Sequence, residues 1–499
     1  MTGKTIADLI SVLGAAATVR GDPTVEVRRL AYDSRRIQPG DLFTAMTGLH
    51  TDGHRFIEQA IERGAAAVLH QAELGSYQNQ VAYIQVSDSR QAMSALAAAL
   101  YDHPSRELSV IGVTGTDGKS TTVWLIHQLL EALGKPCGFI STVQVKTQFD
   151  VTKNPFRQST PEAPDIQCLL RQMAEAGKRY SVVEATSHGL SARTGRLSSV
   201  EFAAAVCTNI SHEHLEFHGS FEQYRSDKAN LFRALSGDGF GVVNLNDPSH
   251  RYLIDQSAAP VRSYGLENTE ADLFATMIHS DLSSSSFTLH YGGEERPARI
   301  NLPGTYNLEN LLAAALTVMV LLPLSLEELV RLFPDLQGVP GRMESIDSGQ
   351  PFRVIVDYAH TPQSFTGLFP LVRTHTDGRL ITVFGSAGER DVEKRPLQGR
   401  LAARFCDIVI LADEDPRGED PISVLEEIAA GCRREGKDPY LIPDRRQAMA
   451  RAFALARGGD TVLLLGKGHE ESIIYADGPV PWQEAQTARQ ILGEMGWKQ

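Results

Sequence analysis

Residues 108–122 read LSVIGVTGTDGKSTT, and the fold is read outward from this stretch. Leu108 to Val113 is an apolar, β-branched run of the kind that fills a buried strand. A glycine turn follows, and Thr121 to Leu133 then shows helical periodicity that ends at Gly134, a C-cap residue. Strand, glycine loop and helix start in that order make a cradle for polyphosphate. The glycines let backbone N–H groups turn toward the anion, and the helix N-terminus adds a partial positive charge. Gly115, Thr116, Asp117, Gly118, Lys119, Ser120 and Thr121 are therefore expected to hold ATP. Lys119 can neutralise terminal phosphate oxygens, and the Ser120 hydroxyl can ligate Mg2+. The spacing is not GxxxxGK[ST]: two residues separate Gly115 from Gly118, and Gly112 lies one residue too far back. The plain alternative is a glycine turn followed by an ordinary surface lysine.

Strand-like runs recur after the loop at residues 181–183, 203–207 and 241–243, with helices between. Strands alternating with helices predict an α/β fold whose mostly parallel sheet is covered on both faces. Upstream, Val25 to Ala31 and Val81 to Val86 read as strands among alanine-rich helices, and His103-Pro104-Ser105 reads as an extended linker. Downstream of Gln337-Gly338 the alternation repeats at residues 353–356, 380–384, 408–412 and 461–465, a second α/β unit. The expected domains are residues 1–106, 107–337 and 338–499.

Composition sets outer limits. A formal net charge of −13 argues against nucleic acid as a partner. Cys137, Cys168, Cys207, Cys406 and Cys432 are scattered without metal-type spacing, as in a reducing compartment. The first ten residues do not read as a signal peptide, and the apolar stretch Leu311 to Leu322 is too short to span a bilayer. A soluble, cytoplasmic, monomeric protein without a membrane span is expected.

Phosphoryl transfer needs carboxylates to hold magnesium against a triphosphate. Glu184 follows the run at 181–183, at a strand's C-terminal end where α/β sites form. His212, Glu213, His214 and His218 crowd the segment TNISHEHLEFHG after the next strand. Any one of those histidines could be a plain surface residue. Lys228, on the helix of FEQYRSDKANLF, has no role that its own surroundings in sequence supply.

The ordered segments YDSRRIQPGDLF, GTDGKSTT, STPE, EATSHGL, TNISHEHLEFHG, YRSDKANLF, LPGTYNLEN, GRMES, VDYAHTP, RDVEKRP, DEDPR and GKGHE span nearly the whole chain. They resemble the Mur ligase family, and within it the MurE type, which adds a diamino acid to UDP-N-acetylmuramoyl-L-alanyl-D-glutamate in peptidoglycan synthesis. The resemblance implies a three-domain architecture: an N-terminal α/β UDP-binding domain, a central P-loop ATPase sheet and a C-terminal Rossmann-like domain. It implies ATP and Mg2+ as cofactors, with Ser120, Glu184, His214 and Lys228 at the metal and Lys228 carbamylated to N6-carboxylysine. Lys119, Lys228, Glu184 and His214 become the catalytic set. Ser34, Ser159, Thr160 and Thr186 fall in segments that meet the UDP-sugar and dipeptide. Asn307, Arg342 and Asp357 fall in ATP-associated motifs, although capping alone would explain Asn307 and Asp357. Arg390, Glu414, Asp415, Arg417, Gly466 and Glu470 match the amino-acid site.

The implied chemistry has two steps. The substrate carboxylate attacks the γ-phosphate of ATP, and the incoming amine then displaces phosphate from the acyl phosphate. Closure between domains would exclude water from that intermediate. The acceptor is where the chain departs from pattern. Relatives that use meso-2,6-diaminopimelate usually carry Asp-Asn-Pro-Arg, and this chain has Glu414-Asp415-Pro416-Arg417. Arg417 can pair with a distal carboxylate. Asp415 is expected to repel that carboxylate and welcome an ammonium. Arg417 favours diaminopimelate, with L-lysine or L-ornithine as alternatives. More distant alternatives are another ligase of the superfamily, a catalytically lapsed nucleotide-binding regulator, and a motor-type P-loop protein, which would need the stricter loop spacing.

Overall fold

A computed structural model describes residues 3–48, 51–156, 158–211 and 213–497. His212 lies outside the described residues. By its internal contacts the chain divides into two units. One comprises Met1–Ile278, Ser286–Arg299 and Tyr306–Leu336; the other comprises His279–Ser285, Ile300–Thr305 and Gln337–Gln499.

In the first unit the strand Ser109–Thr114 lies inside an eleven-stranded sheet, with Tyr180–Glu184 on one side and Phe202–Cys207 on the other. From Cys137–Ile140 through to Leu273–Ser280 every neighbouring pair runs parallel. Parallel strands need helical crossovers on both faces, so they read as continuous apolar runs, and Val110, Ile111 and Val113 are fully buried. After Ser109–Thr114 the chain moves toward Cys137–Ile140, and after Phe202–Cys207 it moves the other way, toward Leu235–Asn244. That reversal opens a crevice at the strands' C-terminal ends, between the loops at 115–118 and 208–211. Val261–Leu266, Leu273–Ser280, Ser285–Tyr291 and Glu294–Ile300 extend the sheet beyond the runs that the sequence marks.

A five-stranded sheet precedes it, in the order Ala17–Arg20, Ala82–Val86, Ala67–His70, Leu42–Thr44 and Leu30–Ala31. The run at 25–31 is two short strands, Glu26–Val27 and Leu30–Ala31, belonging to different sheets. The expected extended linker at His103 is also corrected. His103 is left-handed at φ 49°, ψ 57°, and Pro104–Arg106 is a 3₁₀ turn with Pro104 and Ser105 buried. The His103 N–H donates to Ala98 O at 2.7 Å, so closing the helix Ser89–Leu100 outweighs the bias that proline places on its predecessor. Tyr32 OH donates to Asp165 Oδ2 at 2.6 Å, tying this sheet to the helix Ala163–Glu175.

The second unit holds a six-stranded sheet ordered Glu344–Ile346, Arg353–Asp357, Thr461–Leu465, Leu380–Phe384, Ile408–Leu411 and Tyr440–Leu441. It is parallel apart from its first pair. Alternation sends Leu463 and Leu465 to a core with Phe365, Phe369 and Phe384, while Val462 and Leu464 join Phe352, Met449 and Phe453 on the opposite face. Beneath that second face Arg445 and Glu484 form an ion pair at 2.7 Å with no side-chain exposure. Arg445 also donates to the carbonyls of Asp413 and Leu465, and Trp482 Nε1 donates to Glu484 at 2.6 Å. Glu484→Ala leaves a buried guanidinium without its counter-charge. It should cost about 3–5 kcal/mol in the urea unfolding of this unit, and a loss below about 1 kcal/mol would show that the pair does not hold the layer in place.

Candidate active site

The loop at 115–118 is fixed by its neighbours before any ligand is considered. Gly115 has φ 148°, and a Cβ there would lie 1.8 Å from Thr208 Oγ1. Gly118 has φ 83°, and a Cβ would lie 2.1 Å from Asn310 Oδ1. Both positions need glycine for conformation and for space. Asn209 accepts from the N–H groups of Thr116 (2.8 Å) and Asp117 (2.9 Å), and Thr208 Oγ1 donates to Asp117 O at 2.6 Å. The helix Lys119–Ala132 makes its first internal bond from Thr122 N to Gly118 O, so the N–H groups of residues 118–121 lie ahead of its ladder and face the crevice end.

Around this loop the structure gathers several of the expected residues. Ser120 Oγ donates to Glu184 Oε2 at 2.9 Å; Thr142 donates to the same carboxylate through its N–H (2.9 Å) and its hydroxyl (2.8 Å). Glu184 is buried at the end of the strand Tyr180–Glu184. Thr160 Oγ1 donates to Glu184 O at 2.7 Å and shares a 2.9 Å hydrogen bond with the Thr186 hydroxyl, which caps the helix Ser187–Leu190. Ser159, half-buried, precedes Thr160.

Two amines meet at one carbonyl. Lys119 Nζ donates to Gly115 O at 3.0 Å and to Thr116 O at 2.7 Å, and Lys228 Nζ donates to Gly115 O at 2.5 Å. Lys228 sits on the helix Phe221–Arg233 with 1% exposure, its Nζ 4.6 Å from the centre of the Tyr224 ring. Burial, reinforced by the Lys119 charge, pushes the Lys228 amine from 10.5 down to about 7. Tyr224 OH in turn meets Thr116 Oγ1 at 2.9 Å and donates to Glu213 at 3.3 Å.

His214, left-handed at φ 54°, stacks edge-on to His188 at 4.8 Å. His188 also lies 5.4 Å from the ring of buried His218, whose Nδ1 is 2.7 Å from Asp227 and whose Nε2 is 3.1 Å from Ser187 Oγ. Asn307 is buried in the first turn of the helix Thr305–Leu321, one turn ahead of Asn310. Ser34 stands apart in the N-terminal region, donating to Gln59 Oε1 at 2.7 Å.

The donor set suits magnesium. A serine hydroxyl and a carboxylate within 2.9 Å are hard oxygen ligands.

In the second unit Asp357 ends the strand Arg353–Asp357 and accepts from Met343 N and Ala359 N, each at 2.8 Å, so the backbone-capping role is present. Arg342 lies 4.7 Å from the centre of the Tyr358 ring, and Tyr358 OH donates to Glu470 at 3.5 Å. Burial pushes the Glu414 carboxyl up to about 7, and a Cβ on Gly466 would lie 2.9 Å from Glu414 Oε2. Arg390 is exposed. Arg417, at φ 55°, donates its N–H to Ile474 O at 2.9 Å, and its buried Nε has no hydrogen-bond partner.

Asp415 has partners that its own segment of sequence does not show. It is not an uncompensated anion: Lys467 Nζ donates to its Oδ1 at 2.8 Å, and the Ile474 N–H donates to the same atom at 3.0 Å. Lys467 lies in the GKGHE segment without having been singled out by the sequence, and Thr142, Thr208, Asn209 and Asn310 were equally silent. Their partners are distant in sequence, and nothing local marks them.

A consequence for stability follows from Lys228. The folded chain releases this proton near pH 7 and the unfolded chain near 10.5, so between those values the unfolded state binds more protons and stability rises with pH. In carbonate-free buffer the stability of the wild type relative to Lys228→Met should rise by on the order of 1 kcal/mol per pH unit above about pH 7, read from urea midpoints. A flat difference would mean that the buried amine stays charged.

Comparison with known proteins covers nearly the whole chain. Mur ligase models match as follows: "Mur ligase family, catalytic domain" over residues 26–101, "Mur ligase middle domain" over 113–318, and "Mur ligase, glutamate ligase domain" over 341–468. A UDP-N-acetylmuramyl-tripeptide synthetase from Roseiflexus sp. is 49% identical, over 95% of this chain and 96% of the relative. A protein of the same name from Treponema denticola is 44% identical over 98% of each. Among solved structures, a UDP-N-acetylmuramoyl-L-alanyl-D-glutamate–2,6-diaminopimelate ligase superposes with a TM-score of 0.67 at 28% identity, covering 99% of this chain and 100% of that one. No helix among the described residues is long and apolar enough to cross a membrane. With a phosphate-loop sheet, a second parallel sheet and relatives aligned from end to end, the chain belongs to the Mur ligase family and, like its relatives, is a ligase.

Proposed function

We propose that this chain joins a diamino acid to UDP-N-acetylmuramoyl-L-alanyl-D-glutamate at the expense of ATP, in the cytoplasmic stage of peptidoglycan synthesis. The observation that carries the reading is the meeting of Ser120 with Glu184 beside a carbonyl shared by Lys119 and Lys228. Such a site suits a triphosphate and its metal, and the names of the relatives supply the acceptor class. Residues 1–106, 107–337 and 338–499 would each take one reactant: the UDP-sugar around Ser34, ATP at 115–121, and the amino acid around Arg390, Arg417 and Glu470.

In the first step the D-glutamyl γ-carboxylate attacks the γ-phosphorus. An oxygen–phosphorus bond forms, the bond to the bridging oxygen breaks, and ADP leaves with the electron pair. In the second step the amine attacks the acyl carbon, loses a proton, and phosphate departs. Lys119 and the N–H groups at the helix start stabilise charge on the transferring group. Magnesium, when bound, neutralises triphosphate charge, and Ser120, Glu184, His214 and carbamylated Lys228 would hold it. An amine depressed to about 7 is largely neutral above that pH, the form that adds to CO₂. Carbamylation would turn a cation beside Lys119 into an anion that relieves the repulsion.

For the acceptor we favour meso-2,6-diaminopimelate. Arg417 offers a buried, unpartnered Nε, and the charge on Asp415 is balanced by Lys467. L-lysine and L-ornithine are the competing acceptors, and Asp415 is the residue that would favour them. Presented with each diamino acid in turn, together with ATP and the UDP-muramoyl dipeptide, the enzyme should ligate diaminopimelate fastest. Faster ligation of L-lysine or L-ornithine would overturn that choice, and ligation of none would overturn the function. Lys119→Ala should cut ADP formation by about a hundred- to a thousandfold. Lys228→Ala should be inactive and partly rescued by short carboxylates; a variant as active as the wild type would remove Lys228 from the mechanism.

A further inference from the structure

We propose that Lys467 is a positioning residue that sets acceptor selectivity, by pinning the Asp415 and Glu470 carboxylates and cancelling the negative charge that Asp415 would otherwise present. The inference rests on the reading above, in which Asp415, Arg417 and Glu470 face the incoming amino acid.

Lys467 has no side-chain exposure, and its Nζ reaches Asp415 Oδ1 at 2.8 Å and Glu470 Oε2 at 2.5 Å. Removing an ammonium from water costs several kcal/mol, so a lysine buried this completely needs its carboxylates, and they need it. The Ile474 N–H on the same Asp415 oxygen and the Tyr358 hydroxyl on Glu470 complete the network. Its charge sum is informative. Lys467 and Arg417 carry two positive charges, and Asp415 and Glu470 carry two negative ones. Those four charges cancel, with partly ionised Glu414 adding a fractional negative charge nearby, and Arg417 keeps its unpartnered Nε for a carboxylate. Loss of Lys467 would leave an excess negative charge beside that arginine and favour an acceptor whose far end is an ammonium alone. Loss of the Asp415 charge would leave an excess positive charge and favour an acceptor whose far end also bears a carboxylate. Selectivity would then be governed by repulsion as much as by attraction.

The two losses are of opposite sign, which makes the test decisive. The quantity to measure is kcat/KM for meso-diaminopimelate divided by kcat/KM for L-lysine, in the full-length enzyme. Lys467→Met should lower this ratio by about tenfold, and Asp415→Asn should raise it by about tenfold. The double variant should return it to within about threefold of the wild type. A merely structural lysine would depress both acceptors together and leave the ratio alone. A ratio that moves less than about twofold in both single variants, or in the same direction in both, overturns the proposal. Should Lys467→Met fail to fold, Lys467→Gln, which removes the charge and keeps a donor toward the two carboxylates, carries the test, with the same fall in the ratio expected and an unchanged ratio overturning the proposal. A wild-type enzyme that ligates neither acceptor sinks the functional reading and this one with it. One that ligates an acceptor while the variants leave the ratio unmoved sinks this one alone.

Discussion

Two lysine amines converge on the carbonyl oxygen of Gly115, and the rest of the site is arranged around that convergence. The carbonyls of Gly115 and Thr116 and the face of Tyr224 are weak counter-charges for two amines in a site where Lys228 has 1% exposure. The conflict eases if one amine gives up its proton or if an anion arrives. The fold makes both outcomes available. Burial pushes Lys228 to about 7, and the helix start at 118–121 faces the same end of the sheet. The glycines at 115 and 118 follow from the same crowding, because Thr208 and Asn310 fill the space that side chains there would need.

The amino-acid end of the chemistry obeys the same electrostatic logic with the charges inverted. There the crowded groups are carboxylates, and buried Lys467 bridges two of them, Asp415 largely buried and Glu470 partly open to solvent. Glu414, without a cation in contact, is pushed up to about 7 by burial, so it is only partly ionised near neutral pH. Charge balance, more than the shape of any one pocket, distinguishes what each end of the substrate would meet.

Much of this was legible in the sequence. The run Leu108 to Val113 and the loop after it announce strand, turn and helix because apolar periodicity and glycine placement are local properties. The strand end at Glu184 was marked by the same logic. What was not legible depends on partners brought together by the sheet. Thr142 meets Glu184 across 42 positions, Asn209 pins Asp117 across 92, and Lys467 reaches Asp415 across 52. Asp415 is the instructive case: read alone it is an anion, and read in its fold it is half of an ion pair. The backbone at His103 misled for a related reason, since a hydrogen bond to Ala98 outweighed the preference that proline imposes locally.

We propose above all that Lys228, its amine pushed down to about 7, takes up CO₂ and works as a carbamate beside the phosphate loop. The most direct test is carbon-13 NMR of the enzyme equilibrated with carbon-13 bicarbonate, with and without ATP and Mg2+. The account predicts a single protein-bound carbamate resonance that Lys228→Ala lacks. Absence of that resonance at saturating bicarbonate, in an enzyme that still ligates its acceptor, would contradict it.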